Sequence, residues 1–303
     1  MDSVSFVDEM TALIVGGWDN DFLKTTEIIP KRSICNGRPL PSLPIGIISL
    51  PSLVQTSEEE ILLCGGVNNG RECLKLDNNK WQEHSHLKNT RHDDASAVSM
   101  PGGIYIFGGN YSRTTWEWLR SGTNQWQIGN STIPGFGFSD GCAVKINDNE
   151  ILLIGGQDTY KRVMKFNTNT KTFTNIGNVL NQYRAFPACT LFQEKVIIAG
   201  GKDLSGKFSN STEIINLNNL TKAHTAGNLV KARYNHGIGV VHVDNKPTVV
   251  AVGGFNDDDF FIDSIEMWNP ATETWTMSSM TLSKPKYSFA MLSLPTRQLC
   301  PEL

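Results

Sequence analysis

No apolar run in the 303-residue chain approaches the roughly 18 residues needed to cross a bilayer, so no membrane role is expected. Basic residues are not in surplus: 27 Lys and Arg stand against 30 Asp and Glu, a net charge of −3. That leaves no basic footprint for nucleic acid. The opening residues, Met1 to Glu9, lack the basic start and long apolar stretch of a secretion leader. Cysteine is sparse too. Its six positions (35, 64, 73, 142, 189 and 300) show no CxxC or Cys/His zinc spacing and are too few for a disulfide scaffold. What is present, 39% hydrophobic and 9% aromatic residues, excludes a disordered chain and supplies a sizeable core.

Two readings of the cysteines stand. Small buried hydrophobes in a reducing cytosol make the protein cytoplasmic. Alternatively, Cys64 and Cys73 bridge neighbouring strands of an extracellular protein. Four glycosylation sequons, at Asn110, Asn130, Asn210 and Asn219, are compatible with export, although a chain rich in Asn, Ser and Thr carries several by chance.

The main signal is a repeat. Six apolar runs each end in a glycine pair: Ala12–Gly17, Ile61–Gly66, Ile104–Gly109, Ile151–Gly156, Val196–Gly201 and Val249–Gly254. The first glycines are 49, 43, 47, 45 and 53 residues apart. Downstream of the pair comes a small residue and a glutamate in an extended stretch, as at Thr26-Glu27, Thr115-Trp-Glu117, Thr212-Glu213 and Ser264-Ile-Glu266. A turn-rich segment then leads to an aromatic: Trp81, Trp126, Phe173 and Trp275. Ahead of three doublets a basic residue (Arg91, Arg184, Arg233) opens a strand of small and apolar residues. Each unit reads as four strands. The strand before the glycines is apolar at every position, so both its faces must be buried. Radially stacked four-stranded blades satisfy this.

In glycine doublet, downstream Glu and later Trp, the chain resembles the kelch-repeat family over about residues 10–294. Unit one has Cys35 where the Trp is expected, and unit five has Thr221-Lys222 and no aromatic. The resemblance implies an all-β fold: a six-bladed kelch-type β-propeller. Residues 286–294 match the strand that opens the other units, so the C-terminal strand is expected to complete blade one and close the ring. One domain, residues 1–303, is expected.

An enzyme needs a constellation of reactive groups, and none is legible. His84-Ser-His86 and Asp257-Asp258-Asp259 read as solvated loops, since neither has metal-ligand spacing. No nucleophile elbow, phosphate loop or dinucleotide fingerprint occurs, and no helix pattern follows the glycine doublets. Some relatives implied by the resemblance are enzymes, namely copper radical oxidases, a sialic-acid epimerase and iron-dependent plant specifier proteins. The Glu-x3-Asp-x3-His pattern of the last is missing here. No catalytic residue, metal or cofactor is therefore expected; a small-molecule enzyme using the central channel is the alternative. Arg91, Arg184 and Arg233 are expected to pair with Glu117, Glu213 and Glu266 inside the blades. Trp116, Trp118 and Trp268 are expected to fill between them.

The resemblance further implies that post-glycine turns and blade-to-blade connections share one face, where kelch propellers bind peptides. The first set holds Trp18, Asp19, Asp21 and Phe22; Tyr111 and Arg113; Tyr160, Lys161 and Arg162; and Phe255, Asp257, Asp258, Phe260 and Phe261. The second holds Phe136, Phe138, Tyr183, Tyr234 and His236. Exposed aromatics beside charges compose a protein-binding surface. The expected function is thus a monomeric, non-catalytic interaction module whose partner is a protein or peptide. Blades six and one should lie side by side and pool their aspartates, opposite Arg113, Lys161 and Arg162. Many relatives carry a BTB or F-box region that recruits a ubiquitin ligase; too few residues precede the first repeat for one here. A free-standing propeller, a truncated product and an extracellular relative all fit.

Overall fold

The structure, a computed structural model, describes residues 9–31, 39–46, 51–56, 60–66, 70–88, 94–157 and 160–299. Its strands form six antiparallel sheets arranged as blades around an axis, with a short two-stranded hairpin, Phe255–Asn256 and Phe260–Phe261, after the glycine doublet of blade six. Blade two comprises Ser52–Gln55, Ile61–Cys64, Glu72–Asp77 and Lys80–His86, from the axis outward. Blades three to six repeat that order, each opening on an axial strand: Ser96–Met100, Cys142–Lys145, Ala188–Phe192 and Gly237–Val243. Blade one is built from both ends of the chain. Its axial strand is Ala290–Pro295, paired with Met10–Val15 from Met10↔Pro295 to Val15↔Ala290, and Thr26–Ile29 lies outside them. Its expected outermost strand, with Cys35, lies outside the described residues.

The second strand of each blade shows why apolar residues occupy every position. In Met10–Val15, Leu13 and Val15 pack on Leu53 and Leu63 of blade two, while Ala12 and Ile14 pack on Val250 and Val252 of blade six. The same alternation continues round the ring, so each blade interface is one hydrophobic cluster. The fourth-strand aromatics point back into these seams. Trp126 donates its indole N–H to Ser85 Oγ of blade two at 3.1 Å, and Trp275 donates to Thr212 Oγ1 of blade five at 2.9 Å. In blade five, which has no such aromatic, Ala223 occupies the seam opposite Ile215.

All six glycine doublets lie at positive φ. In blades three to six the first glycine also sits under the incoming connection of the next blade: a Cβ on Gly108 would fall 1.7 Å from the Phe138 carbonyl oxygen, and one on Gly200 2.5 Å from that of Arg233. The second glycine donates its N–H to that connection, as Gly201 does to Arg233 O at 2.8 Å. Only glycine combines this φ with so close an approach.

The expected arginine–glutamate pairs are present in two blades. Arg184 meets Glu213 at 2.9 Å and Arg233 meets Glu266 at 2.7 Å, all four side chains buried. Arg91 lies outside the described residues; Glu117 accepts the Lys88 N–H at 2.7 Å. A third pair was not foreseen: Lys286 to Glu27, at 2.7 Å across the ring closure. Each glutamate also accepts backbone N–H groups of the connection, Val230 and Lys231 on Glu266 and Ser283 on Glu27. The device clamps each connection in place. Burial raises the Glu27 pKa, but the Lys286 ammonium and the Ser283 hydrogen bonds outweigh it and hold the carboxyl below its ordinary 4.5. A depressed carboxyl contributes stability fully above its unfolded value and loses it as pH falls through the folded value. Glu27→Gln is therefore expected to flatten the acid limb of the stability–pH curve below about pH 5. Urea midpoints between pH 3 and 7 check this; parallel limbs would refute it.

The free-thiol reading is corrected for four cysteines. Cys64 and Cys73 are directly opposite on adjacent strands, 4.1 Å apart at Cα, and are bridged. Cys142 and Cys189, 6.0 Å apart at Cα, link the axial strands of blades four and five. Directly opposed positions on paired strands bring side chains within bonding reach.

Candidate protein-binding face

The clamped connections and the post-glycine turns meet at one end of the axis. The residue after each of three doublets forms a backbone bridge to the residue after a clamped base: Trp18 to Tyr287, Lys202 to Ala185, and Phe255 to Tyr234. Side chains from three blades are thereby fixed in a single patch. Phe208 stacks on Tyr234 at 5.0 Å and 7°, Phe255 lies 5.4 Å from Tyr287 and 5.8 Å from Tyr234, and Phe186 lies 5.8 Å from Tyr234. Phe260 and Phe261 both pack on Phe255. Beside Tyr287, Trp18 meets Phe22 edge-on at 4.5 Å. The result is a largely half-buried aromatic surface spanning blades five, six and one.

Its electrostatics centre on Lys202, whose ammonium sits 3.8 Å from the Tyr234 ring centroid and 5.1 Å from that of Phe208. Burial lowers the Lys202 pKa, partly offset by Asp257 and Asp140. The Tyr234 phenol is pushed up to about 12 by burial, with Tyr287 and Asp257 adding to it. Asp257 thus acts on both groups from the rim. The three aspartates of the blade-six hairpin divide their roles. Asp259 is held by Lys231 at 2.8 Å and by Asn256, while Asp257 and Asp258 are exposed. Phe260 is 62% exposed and sits at φ 60°.

The remaining expected residues are distributed unevenly. Asp19 is half-buried, and Asp21 is exposed with Oδ1 accepting the Phe22 N–H at 2.8 Å. Across the ring, Tyr160 and Tyr183 meet edge-on at 5.3 Å, with Lys161 4.8 Å from the Tyr183 centroid. Tyr111 and Phe136 are exposed and Arg113 is half-buried. Three expectations need correction. Phe138 is 1% exposed, in the seam between blades three and four, because it fills the place the clamp base takes in other blades. His236 is buried at the axis. Arg162 turns inward, donating to Pro134 O and Gly137 O, so the expected basic counter-pole is reduced to Lys161 and Arg113. Sequence reasoning also missed Lys202, Phe186, Phe208 and Tyr287. Aligning Lys286 with the clamp arginines would have flagged Tyr287 beside Tyr234.

Inside the patch lies an axial channel of about 200 Å³, lined by Asp94, Asp140, Phe186, Asn235 and His236 among others. Asp94, Asp140, Phe186 and Asn235 all take positive φ there. Burial, then the Arg233 and Arg184 charges, push the His236 pKa well down, so its ring is neutral. Among the described residues no group of three or more His, Cys, Asp or Glu is placed to hold a metal, and no helix is long and apolar enough to cross a membrane.

Closed, radially stacked four-stranded blades define a six-bladed β-propeller. The chain belongs to the kelch-repeat family: the KLHDC2/KLHL20/DRC7 Kelch-repeats domain matches residues 94–295. A solved structure titled "Structure of YjhT" is similar in fold, with a TM-score of 0.70 at 15% identity, covering 83% of this chain and 88% of that one. Comparison with curated proteins gave no match.

Proposed function

We propose that the chain is a non-catalytic, monomeric interaction module that binds an extended segment of a protein partner over blades five, six and one. The observation that supports this reading is the aromatic surface edged by Asp19, Asp21, Asp257 and Asp258. Rings held by backbone bridges lose little conformational freedom on binding, and the acidic rim favours a segment carrying basic side chains beside apolar ones. Lysine and arginine would meet the rim while apolar side chains cover Phe255, Phe260 and Tyr287. Because Arg162 is committed to a loop, the polarity of the face comes mainly from its acidic side.

The test is affinity capture with the intact propeller, followed by titration of variants against the captured segment. Asp257→Lys with Asp258→Lys, and separately Phe260→Ala, are each expected to weaken binding by more than about 1 kcal/mol. Parental affinity in both, with folding intact, would move the site elsewhere. Phe260→Gly separates binding from folding. A left-handed conformation costs a non-glycine residue about 1–2 kcal/mol, so this variant is expected to keep or raise the melting temperature while losing affinity. A drop in melting temperature would show that Phe260 serves the fold.

One observation favours the channel as a small-molecule site: neither ring nitrogen of buried His236 has a hydrogen-bond partner. Turnover of a sugar-acid panel that is lost in His236→Ala would favour an enzyme. The cytoplasmic expectation gives way, as a proposal, to an oxidising compartment, because both disulfides would be reduced in a cytosol.

A further inference from the structure

We infer that the protein carries N-linked glycans at Asn130 and Asn219 and none at Asn110 and Asn210. This rests on the disulfides and the sequons, and is independent of where a partner binds. Two bridges, Cys64–Cys73 within blade two and Cys142–Cys189 between blades four and five, are stable outside a reducing cytosol, in the compartments where N-glycosylation also takes place. There the asparagine amide nitrogen bonds to the anomeric carbon of an oligosaccharide held on a polyprenyl diphosphate. The carbon–oxygen bond to the diphosphate breaks, the diphosphate leaves with the electron pair, and the amide gives up one proton.

The fold treats the four sequons differently. Asn110 follows a glycine doublet on the loop face, is half-buried, and turns Nδ2 onto Asp94 Oδ2 at 2.5 Å. Asn210 is half-buried in the post-glycine loop of blade five, with Nδ2 on Leu229 O at 3.2 Å. Both nitrogens point into the protein, and a glycan on either would have to displace the contact for the loop to close. Asn130 and Asn219 are exposed. Asn130 leaves the outermost strand of blade three, Trp126–Ile128, at the rim of the ring. Asn219 opens the outermost strand of blade five, Asn219–Ala226, directly after the two-residue turn that follows Thr212–Asn216. Thr212–Asn216 starts at the loop face, so the turn lies on the opposite face. There Asn219 Oδ1 accepts the Thr221 hydroxyl at 2.7 Å and the Thr221 N–H at 3.2 Å, which leaves Nδ2 for the oligosaccharide. Glycans at these two positions leave the aromatic surface bare.

The test uses the full chain made through the secretory pathway of a eukaryotic host and, in parallel, in a reducing cytosol. Folded secreted protein is treated with peptide N-glycosidase in heavy-oxygen water, so that each former glycan site is read as labelled aspartate. Label at 130 and 219 alone is expected. Thr132→Ala and Thr221→Ala should each remove one glycan without altering the asparagine. Thiol mapping without reductant should find Cys64, Cys73, Cys142 and Cys189 blocked, and reduction should lower the melting temperature. Unmodified Asn130 or Asn219, label at Asn110 or Asn210, or cytosolic protein with reduced thiols and the same melting temperature as the secreted form would overturn the inference.

Discussion

Truncation before Lys286 is expected to abolish cooperative unfolding. The lost segment supplies the axial strand of blade one, Ala290–Pro295, with its six-residue register on Met10–Val15. Ala290 and Leu294, both buried, leave the seam with blade two. Met10–Val15 then becomes an open edge carrying unpaired backbone groups beside the axis, and the seam with blade six loses Phe289. Glu27 loses its buried ammonium at the same time. These losses fall on the two seams that flank blade one and cannot be shared among the other four. A milder variant, Lys286→Met, isolates the charge: breaking a buried pair by removing one partner costs about 3–5 kcal/mol. Thermal melts with light scattering distinguish the outcomes. A truncated protein melting like the parent would mean that the ring closes without this strand.

The second large effect is expected at Arg233. Both it and Glu266 are fully buried, and the guanidinium also donates to Gly253 O and Ser264 O. Arg233→Met leaves a carboxylate with no countercharge inside the protein and should destabilise it by about 3–5 kcal/mol. Adding Glu266→Gln should recover much of that loss, because the amide oxygen can still accept the Val230 and Lys231 N–H groups while the buried charge is gone. Urea denaturation of the two single variants and the double gives the coupling. Additive losses would show that Arg233 acts through packing alone. Since Tyr234 follows Arg233 and bridges to Phe255, the single variant should also weaken partner binding before it unfolds the protein.

The propeller was legible in the sequence because its constraints are periodic. A strand buried on both faces must be apolar throughout, and a chain passing under its neighbour needs glycine, so Ile151–Gly156 declares its place without reference to any other blade. The candidate face was legible only in part, because its residues come from three blades and converge through backbone bridges that no local spacing encodes. Trp18, Tyr234 and Phe260 stood out by type. Lys202 did not, since a single lysine after a glycine reads as solvent-exposed until the rings around it are known. Phe138 and Arg162 failed for a related reason: a loop aromatic or a loop cation can serve its own loop, and composition does not separate that use from contact with a partner. The Cys142–Cys189 bridge joins residues 47 apart whose proximity exists only between finished blades.

The closing ladder of blade one also has a mechanical consequence. Met10 faces Pro295, and Thr296 donates its N–H to Glu9 O at 2.8 Å, so both flanks of the ladder emerge at the same end. A load applied between residues 9 and 296 falls first on that terminal hydrogen bond, then on the next, and peels the pair instead of shearing it. The ring would therefore yield at low force when pulled by its ends, and resist when pulled from one blade to the blade opposite, where many bonds are loaded together.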